Sequence, residues 1–451
     1  HHVRALAGLA VMALVAASCA SASASSADSD TPTDTEAAVE TTTADTEPAD
    51  TEPADTEPAG TEPADTEPAD TEPEGGEGIA ALPAPDGEPI VVGMVNTVGV
   101  PGLDFPEIAT ATEATVEYLN EHGGLGGRPI ELEICEGGGT PETSQACAQE
   151  LAGKGVEMIY LGLDLFAGFD TFTAASIPVV GVLPILPTDY SANALYLTGG
   201  NTTTVAAMAK FAVEEFAAST AGIISADNAG ANGTEAALIA ALDKAGISYT
   251  SVKGGDNETD AGYQGLMSQA AADDPDVLFS LYADAGCIGT MRGRASLGIE
   301  TPVITTNICA ADEVISQVGD DAFGWYFIGG QTEEEGTPER ADSDAIIELA
   351  GVDEAAELGL GNLWLQNMIA LAQIANTMTD EGEDVTGASL FERLATSTEF
   401  VTWPNEFPLA CGTAPSVPNV CSFSFPVGEY VGDGTVETVP GYEELDTLDF
   451  L

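Results

Sequence analysis

Pro89-Ile-Val-Val-Gly-Met-Val-Asn96, a helix-length stretch over 106–121, and Pro129-Ile-Glu-Leu-Glu-Ile-Cys135 follow one another closely, and their alternation decides the fold. The first is an apolar, β-branched run of strand length, bounded by Pro and by a Gly-containing loop. A second helix over 142–154 and a third strand, Val156-Glu-Met-Ile-Tyr-Leu-Gly162, repeat the unit. Strands that stay apolar on both faces and are separated by helices imply βαβ crossovers, hence a parallel sheet with helices packed on either side.

Working toward the C-terminus, the alternation restarts after Leu197. Helices are predicted over 202–217, 233–245, 263–272 and 287–297, and strands over 221–225, 247–252, 277–281 and 303–306. Some 360 residues beyond Glu88 are enough for two packed lobes. The predicted fold is α/β, with two Rossmann-like lobes. The long helices 360–381 and 387–395 arrive after both sheets are complete, so the chain is expected to return to the first lobe. Residues 88–199 with 331–395 are assigned to lobe 1, and 200–330 with 396–451 to lobe 2; short strands are expected around 422–430.

Toward the N-terminus the composition changes. Residues 20–87 are assigned to an acidic linker whose Thr-Glu-Pro unit recurs six times at a five-residue period from Thr46. Such a segment lacks the apolar side chains that could offset the entropy of ordering it, and its Pro content and self-repulsion favour an extended tether. Before it, Arg4 precedes the small and apolar run 5–17, which is too short to span a bilayer and has the character of a secretory leader over 1–19. Val15-Ala-Ala-Ser-Cys19 resembles the lipobox of bacterial lipoproteins, which implies lipidation of Cys19 and attachment to the outer face of the cell membrane.

Seventy-five acidic residues stand against ten Lys and Arg, a field that disfavours nucleic acid and anionic membrane surfaces as partners. Apart from Cys19 there are six cysteines. They allow fifteen connectivities, and proximity favours Cys135–Cys147, Cys287–Cys309 and Cys411–Cys421 in an oxidising compartment. The spacings are not those of zinc sites, His122 is the one imidazole beyond the first two residues, and no nucleophile, phosphate-loop or metalloprotease motif is present. No metal, cofactor or catalytic group is therefore expected. A carboxylate pair of the glycosidase kind is too easily formed in so acidic a chain to carry weight, which leaves a secreted hydrolase as a lesser alternative.

The stretch Tyr118-Leu-Asn-Glu-His-Gly-Gly-Leu-Gly-Gly-Arg-Pro-Ile-Glu-Leu132 resembles the helix, glycine turn and strand near the start of type I periplasmic binding proteins of the leucine/isoleucine/valine class. Its glycines follow a helix and precede a strand, the reverse of a phosphate-binding loop. Ile177-Pro-Val-Val180, Gly262-Tyr-Gln264, and Leu297-Gly-Ile299 before Pro302-Val-Ile304 fit the same family in order, over roughly residues 88–440. The resemblance implies a clamp with three crossovers that closes on a ligand and passes it to an ABC-type permease, most simply as a monomer. A sensor or adhesion module on the same fold is the alternative.

In such a fold the cleft lies at the carboxyl ends of the strands. The corresponding loops are 97–105, 163–166 and 183–189 in lobe 1, and 226–233, 282–286 and 305–308 in lobe 2. Their candidate ligand contacts are Asp104, Phe105, Asp164, Asp227, Tyr282, Asp284 and Asn307, with a turn or helix-cap role as the competing reading of each. Two departures from the family concern the ligand. Where amino-acid binders offer hydroxyls and free helix-start amides to a carboxylate, this chain has Leu163-Asp164-Leu165; where an acidic residue holds the ammonium, Asn307 stands. No Lys or Arg lies in these loops. The expected ligand is an amide, a neutral polar metabolite or a cation near Asp104 and Asp284 rather than a strong anion.

Overall fold

The computed structural model describes residues 78–100, 104–255, 257–283, 285–329, 337–352 and 355–451. The segment read as a leader, Cys19, the Thr-Glu-Pro repeats and Asp284 lie outside them.

The first sheet is built from β1 (Ile90–Thr97), α1 (Pro106–Glu121), β2 (Ile130–Gly137), α2 (Pro141–Lys154), β3 (Met158–Leu161), α3 (Phe169–Ala174), β4 (Val179–Gly181) and β5 (Leu195–Tyr196). Its strands are parallel in the order β2-β1-β3-β4-β5. Local chemistry punctuates it. Pro141 opens α2, whose Thr140 and Thr143 cap each other reciprocally, and Gly155 closes it in the left-handed region. Between α1 and β2, Gly123, Gly124, Gly126 and Gly127 all have positive φ. A Cβ on Gly124 would lie 2.3 Å from the Arg128 carbonyl oxygen, so this turn accepts only glycine there.

The chain crosses after Leu197 into α4 (Gly200–Phe216), β6 (Thr220–Ala226), α5 (Ala229–Ala245), β7 (Ser248–Gly254), α6 (Asp260–Ala270), β8 (Val277–Leu281), α7 (Ala285–Leu297), β9 (Val303–Thr306), α8 (Asp312–Val318) and β10 (Trp325–Ile328). It crosses back between Gly329 and Thr337 into α9 (Pro338–Leu349), α10 (Gly361–Asp380) and α11 (Gly387–Thr396). The third crossing delivers β11 (Ser424–Phe425), β12 (Val427–Gly432), β13 (Thr435–Thr438) and β14 (Leu445–Asp446). The second sheet runs β13-β12-β10-β9-β8-β6-β7, with β12 antiparallel to β10 and β13 antiparallel to β12. β11 and β14 form a separate antiparallel pair.

The central strands of each sheet are covered on both faces, which is why they are so apolar, whereas edge strands such as β2 and β7 carry polar residues. In lobe 1, Ile108, Leu119, Trp364 and Met368 form one apolar layer, and Cys147, Leu151 and Phe172 the other. Trp364 is fixed from both ends: its indole N–H donates to the Leu161 carbonyl at 2.8 Å and its own carbonyl accepts from the Tyr160 hydroxyl at 2.6 Å. In lobe 2, Phe211, Leu238 and Leu242 line one face, and Tyr263, Met267, Met291 and Ile315 the other.

Two boundaries differ from the sequence reading. The linker does not extend to residue 87: Ile79 is buried in the first core, and the Ile79 and Ala80 amides donate to the Asp342 carboxylate at 2.9 and 3.2 Å. Apolar Ile79 and Leu82 are what the repeats before them lack. Nor does the chain leave lobe 1 at residue 396. Phe400, Trp403, Leu409 and Cys421 belong to the first core, and Tyr196 exchanges backbone bonds with Asn419 and Cys421. The Pro-rich, irregular stretch 404–418 has no periodicity to announce that packing. All three cysteine pairs are disulfides: Cys135–Cys147, Cys287–Cys309 and Cys411–Cys421.

Candidate functional site

In both sheets the strand order reverses beside the first strand. Connections from β1 and β3 leave on opposite faces, as do those from β6 and β8; in open α/β sheets a ligand binds beside such a switch point, at the carboxyl ends of the strands.

In lobe 1 this edge is organised by Asn96, a fully buried side chain in an otherwise apolar strand. Its amide nitrogen donates to the Phe105 carbonyl at 2.8 Å and its oxygen accepts from the Leu163 N–H at 3.0 Å, stapling the loops after β1 and β3 together. Sequence reasoning missed Asn96; a lone amide ending a buried strand was the available signal. Thr97, next to it, is buried and its hydroxyl has no partner. Asp104 is exposed, and its carboxylate receives the Gly99 N–H at 2.7 Å. Phe105 is half-buried against the first core.

Asp164 is 4% exposed. It does not cap the helix that follows it; the N-cap of α3 is Gly168, and no side chain caps it. Its Oδ1 accepts instead from the Ser144 hydroxyl in the first turn of α2, at 2.7 Å, and from the Phe166 N–H at 3.1 Å. Burial pushes its carboxyl above the ordinary aspartate range, and these two bonds offset part of the rise. Asp189 is equally buried and accepts from the Ile185 and Leu186 amides, both at 2.8 Å. Its carboxyl too is raised, by burial first and by the field of Asp164. Phe166, 39% exposed, leaves a large apolar ring at this rim.

The second edge is richer in amides. Asp227 is exposed and accepts from the Asn232 side chain at 3.3 Å, while Asn228, rather than Asp227, caps α5 through the Ala231 N–H. Just below, buried Glu235 pairs with Lys253 at 2.7 Å and receives the Ser251 hydroxyl. Lys253 thus stands at the end of β7, close to loops that themselves contain no basic residue. Tyr282 is 5% exposed, stacks edge-on against Tyr263 and donates its hydroxyl to the Gly255 carbonyl at the carboxyl end of β7. Its ring packs in the second core. Asn307 is exposed at the start of a short one-turn helix and is followed by Ile308, 45% exposed. The Cys287–Cys309 bridge ties the loops after β8 and β9 together.

A separate cavity of about 430 Å³ lies at the opposite pole of lobe 1, lined by Ile79, Leu82, Gln373, Asp380 and Val401 among others. It adjoins the end of α10, where Thr379 bonds to Gly126 ahead of β2, and is therefore remote from the carboxyl-end loops. Among the described residues no helix is long and apolar enough to cross a membrane, and no group of three His, Cys, Asp or Glu is placed to hold a metal ion.

The family model for periplasmic binding proteins matches residues 89–405, across both sheets and two of the three crossings. The chain belongs to the periplasmic binding protein family. A Leu/Ile/Val-binding protein homolog from Brucella melitensis is 23% identical over 288 residues, 59% of this chain and 74% of the relative. An ABC transporter substrate-binding protein from Sphaerobacter thermophilus shares the fold with a TM-score of 0.63 at 20% identity, over 81% of this chain and all of that one. A solute binding protein from Rhodopseudomonas palustris, solved with 3,4-dihydroxy benzoic acid, aligns at a TM-score of 0.57 and 14% identity, over 80% of this chain and 98% of the other. Like these periplasmic binding proteins, the chain is a solute-binding protein by family, with two α/β lobes and three connections between them.

Proposed function

We propose that the protein is the exported solute-binding component of an ABC-type uptake system, holding a small polar molecule between its lobes and catalysing nothing. The observation that carries this reading is the pair of switch points, one per sheet, on lobes joined by three connections, the arrangement that lets two walls close on one ligand. Three disulfides suit an oxidising compartment. Lipidation at Cys19 would hold the chain at the outer face of the membrane, with residues 20–77 as tether. Asp104, Asp164, Asp227, Asp284 and Asn307 remain the proposed polar contacts, and Phe166 and Ile308 the apolar rims.

The test is a thermal-shift screen of the secreted chain against amino acids, amides, polyamines, nucleosides and short-chain acids. A ligand at a hundred times its Kd should stabilise by about 2.7 kcal/mol and be recovered unchanged. A compound returned chemically altered would establish catalysis, and the absence of any shift across the panel would remove the solute-binding reading.

A further inference from the structure

We propose that Asp164 sets the charge selectivity of the cleft: the chain's own carboxylate fills the place where a ligand carboxylate would bind, making the lobe 1 wall a receptor for a small organic cation, an amine or guanidine. This rests on the solute-binding reading above and adds the class of solute.

The start of a 14-residue helix such as α2, with hydroxyls in its first turn, is a ready receptor for an anion. Here it is occupied from within. Thr140 and Thr143 are engaged in capping each other, Ser144 donates to Asp164, and the amide of Phe166 donates to the same oxygen. A ligand carboxylate arriving at this corner would find the hydroxyl and the loop N–H taken and a fixed carboxyl in its place.

The other oxygen, Oδ2, is buried and receives no donor from the protein. Among the described residues it is the one buried carboxylate oxygen with neither donor nor cation, since the corresponding oxygen of Glu235 is paired with Lys253. The partnerless Thr97 hydroxyl lies on the same face of the sheet, beside Gly137 and Gly139 at the approach to α2. The titratable groups whose fields couple here are Asp164, Asp189, Tyr190 and Tyr196, none of them cationic. A buried carboxylate without a partner is costly, and a ligand bringing a positive charge with its own N–H donors removes that cost. An organic cation suits the corner better than a bare metal ion, which has no three-ligand group to hold it among the described residues.

Burial raises the Asp164 carboxyl in the free protein, and a cation beside it would lower it again, so pairing shifts the group toward its ionised form. Affinity for the cation should therefore rise with pH until Asp164 is ionised in the free protein as well.

The experiment is calorimetric titration of the full chain with benzylamine, 3-methylbutylamine, putrescine and agmatine against benzoate, isovalerate and leucine, between pH 5 and 8. At least one amine is expected to bind about tenfold or more tightly than any carboxylate, and Asp164→Asn to lose about tenfold of that affinity. Asp164→Ser, which frees the Ser144 hydroxyl and the Phe166 N–H, should gain affinity for isovalerate or leucine; melting curves of both variants establish that they fold. A carboxylate or zwitterion binding most tightly, amine affinity unchanged within about twofold in Asp164→Asn, or no amine binding at all would overturn the assignment. The broader thermal-shift screen would still report whether any solute binds, so the two readings fail separately.

Discussion

Asp276 and Asp164 are both aspartates at sheet edges, and the protein treats them oppositely. Asp276, at the amino-end edge of the second sheet, gathers four bonds on one oxygen from the amides and hydroxyls of Ser219 and Thr220, between 2.8 and 3.0 Å. Those donors hold its carboxyl down to about 2. Asp164, at the carboxyl-end edge of the first sheet, has one oxygen satisfied and the other buried without a donor, and its carboxyl is raised by burial. The amino-end pole of lobe 1 follows the Asp276 pattern: Asp342 accepts from two backbone amides and from the Tyr118 hydroxyl. One edge spends its polar groups on the fold, while the other leaves some for a ligand.

Removing the Cys287–Cys309 bridge with serines should have the largest effect, because it closes a 22-residue loop at the carboxyl-end edge. A loss of about 3 kcal/mol in denaturant unfolding is expected, accompanied by weaker ligand binding because the lip is no longer pre-set. At the amino-end pole Asp342→Ala should cost about 2 kcal/mol by stranding the Ile79 amide and the Tyr118 hydroxyl, and leave ligand affinity unchanged. If it weakened binding instead, the division between edges would break.

Smaller effects carry the sign. The carboxyl of Asp276 is depressed in the folded state, so its stabilisation is present above the ordinary aspartate range, near 4, and is lost as pH falls through about 2. Asp276→Asn should lower the Tm only slightly at pH 7, because the group is exposed to solvent, and flatten the acid limb of a Tm-against-pH curve. Asp164 is raised, so its contribution is present at low pH and lost as pH rises. Relative to the native chain, Asp164→Asn should therefore gain stability as pH rises above the ordinary aspartate range, near 4. A flat difference would mean that the buried carboxyl is not the group titrating.

Most of the architecture was legible because it is written locally. The apolar run ending at Asn96, the glycines 123–127 and the helix-length intervals fix a parallel sheet, and restarting the pattern fixes a second. Trp325–Ile328 escaped notice because four residues between turns carry no period, and 397–421 because proline-rich packing has none either. The crevice loops followed from strand direction alone. What a side chain does on such a loop depends on partners distant in sequence: Ser144 is 20 residues from Asp164, and Tyr282 is drawn inward by Tyr263 and Gly255. Asp164, Asp227 and Asn307 thus look alike in sequence and stand in different environments, one buried and two exposed.

Hydrogen exchange of the full chain with and without a ligand found by the screen tests the central claim most directly. Protection is expected on both lobes, in 97–105, 163–166 and 183–189 and in 226–233, 282–286 and 305–308, with none added around Ser219, Asp276 or the cavity beside Ile79. Protection on one lobe only, or centred on that cavity, would contradict a ligand held between the two carboxyl-end edges.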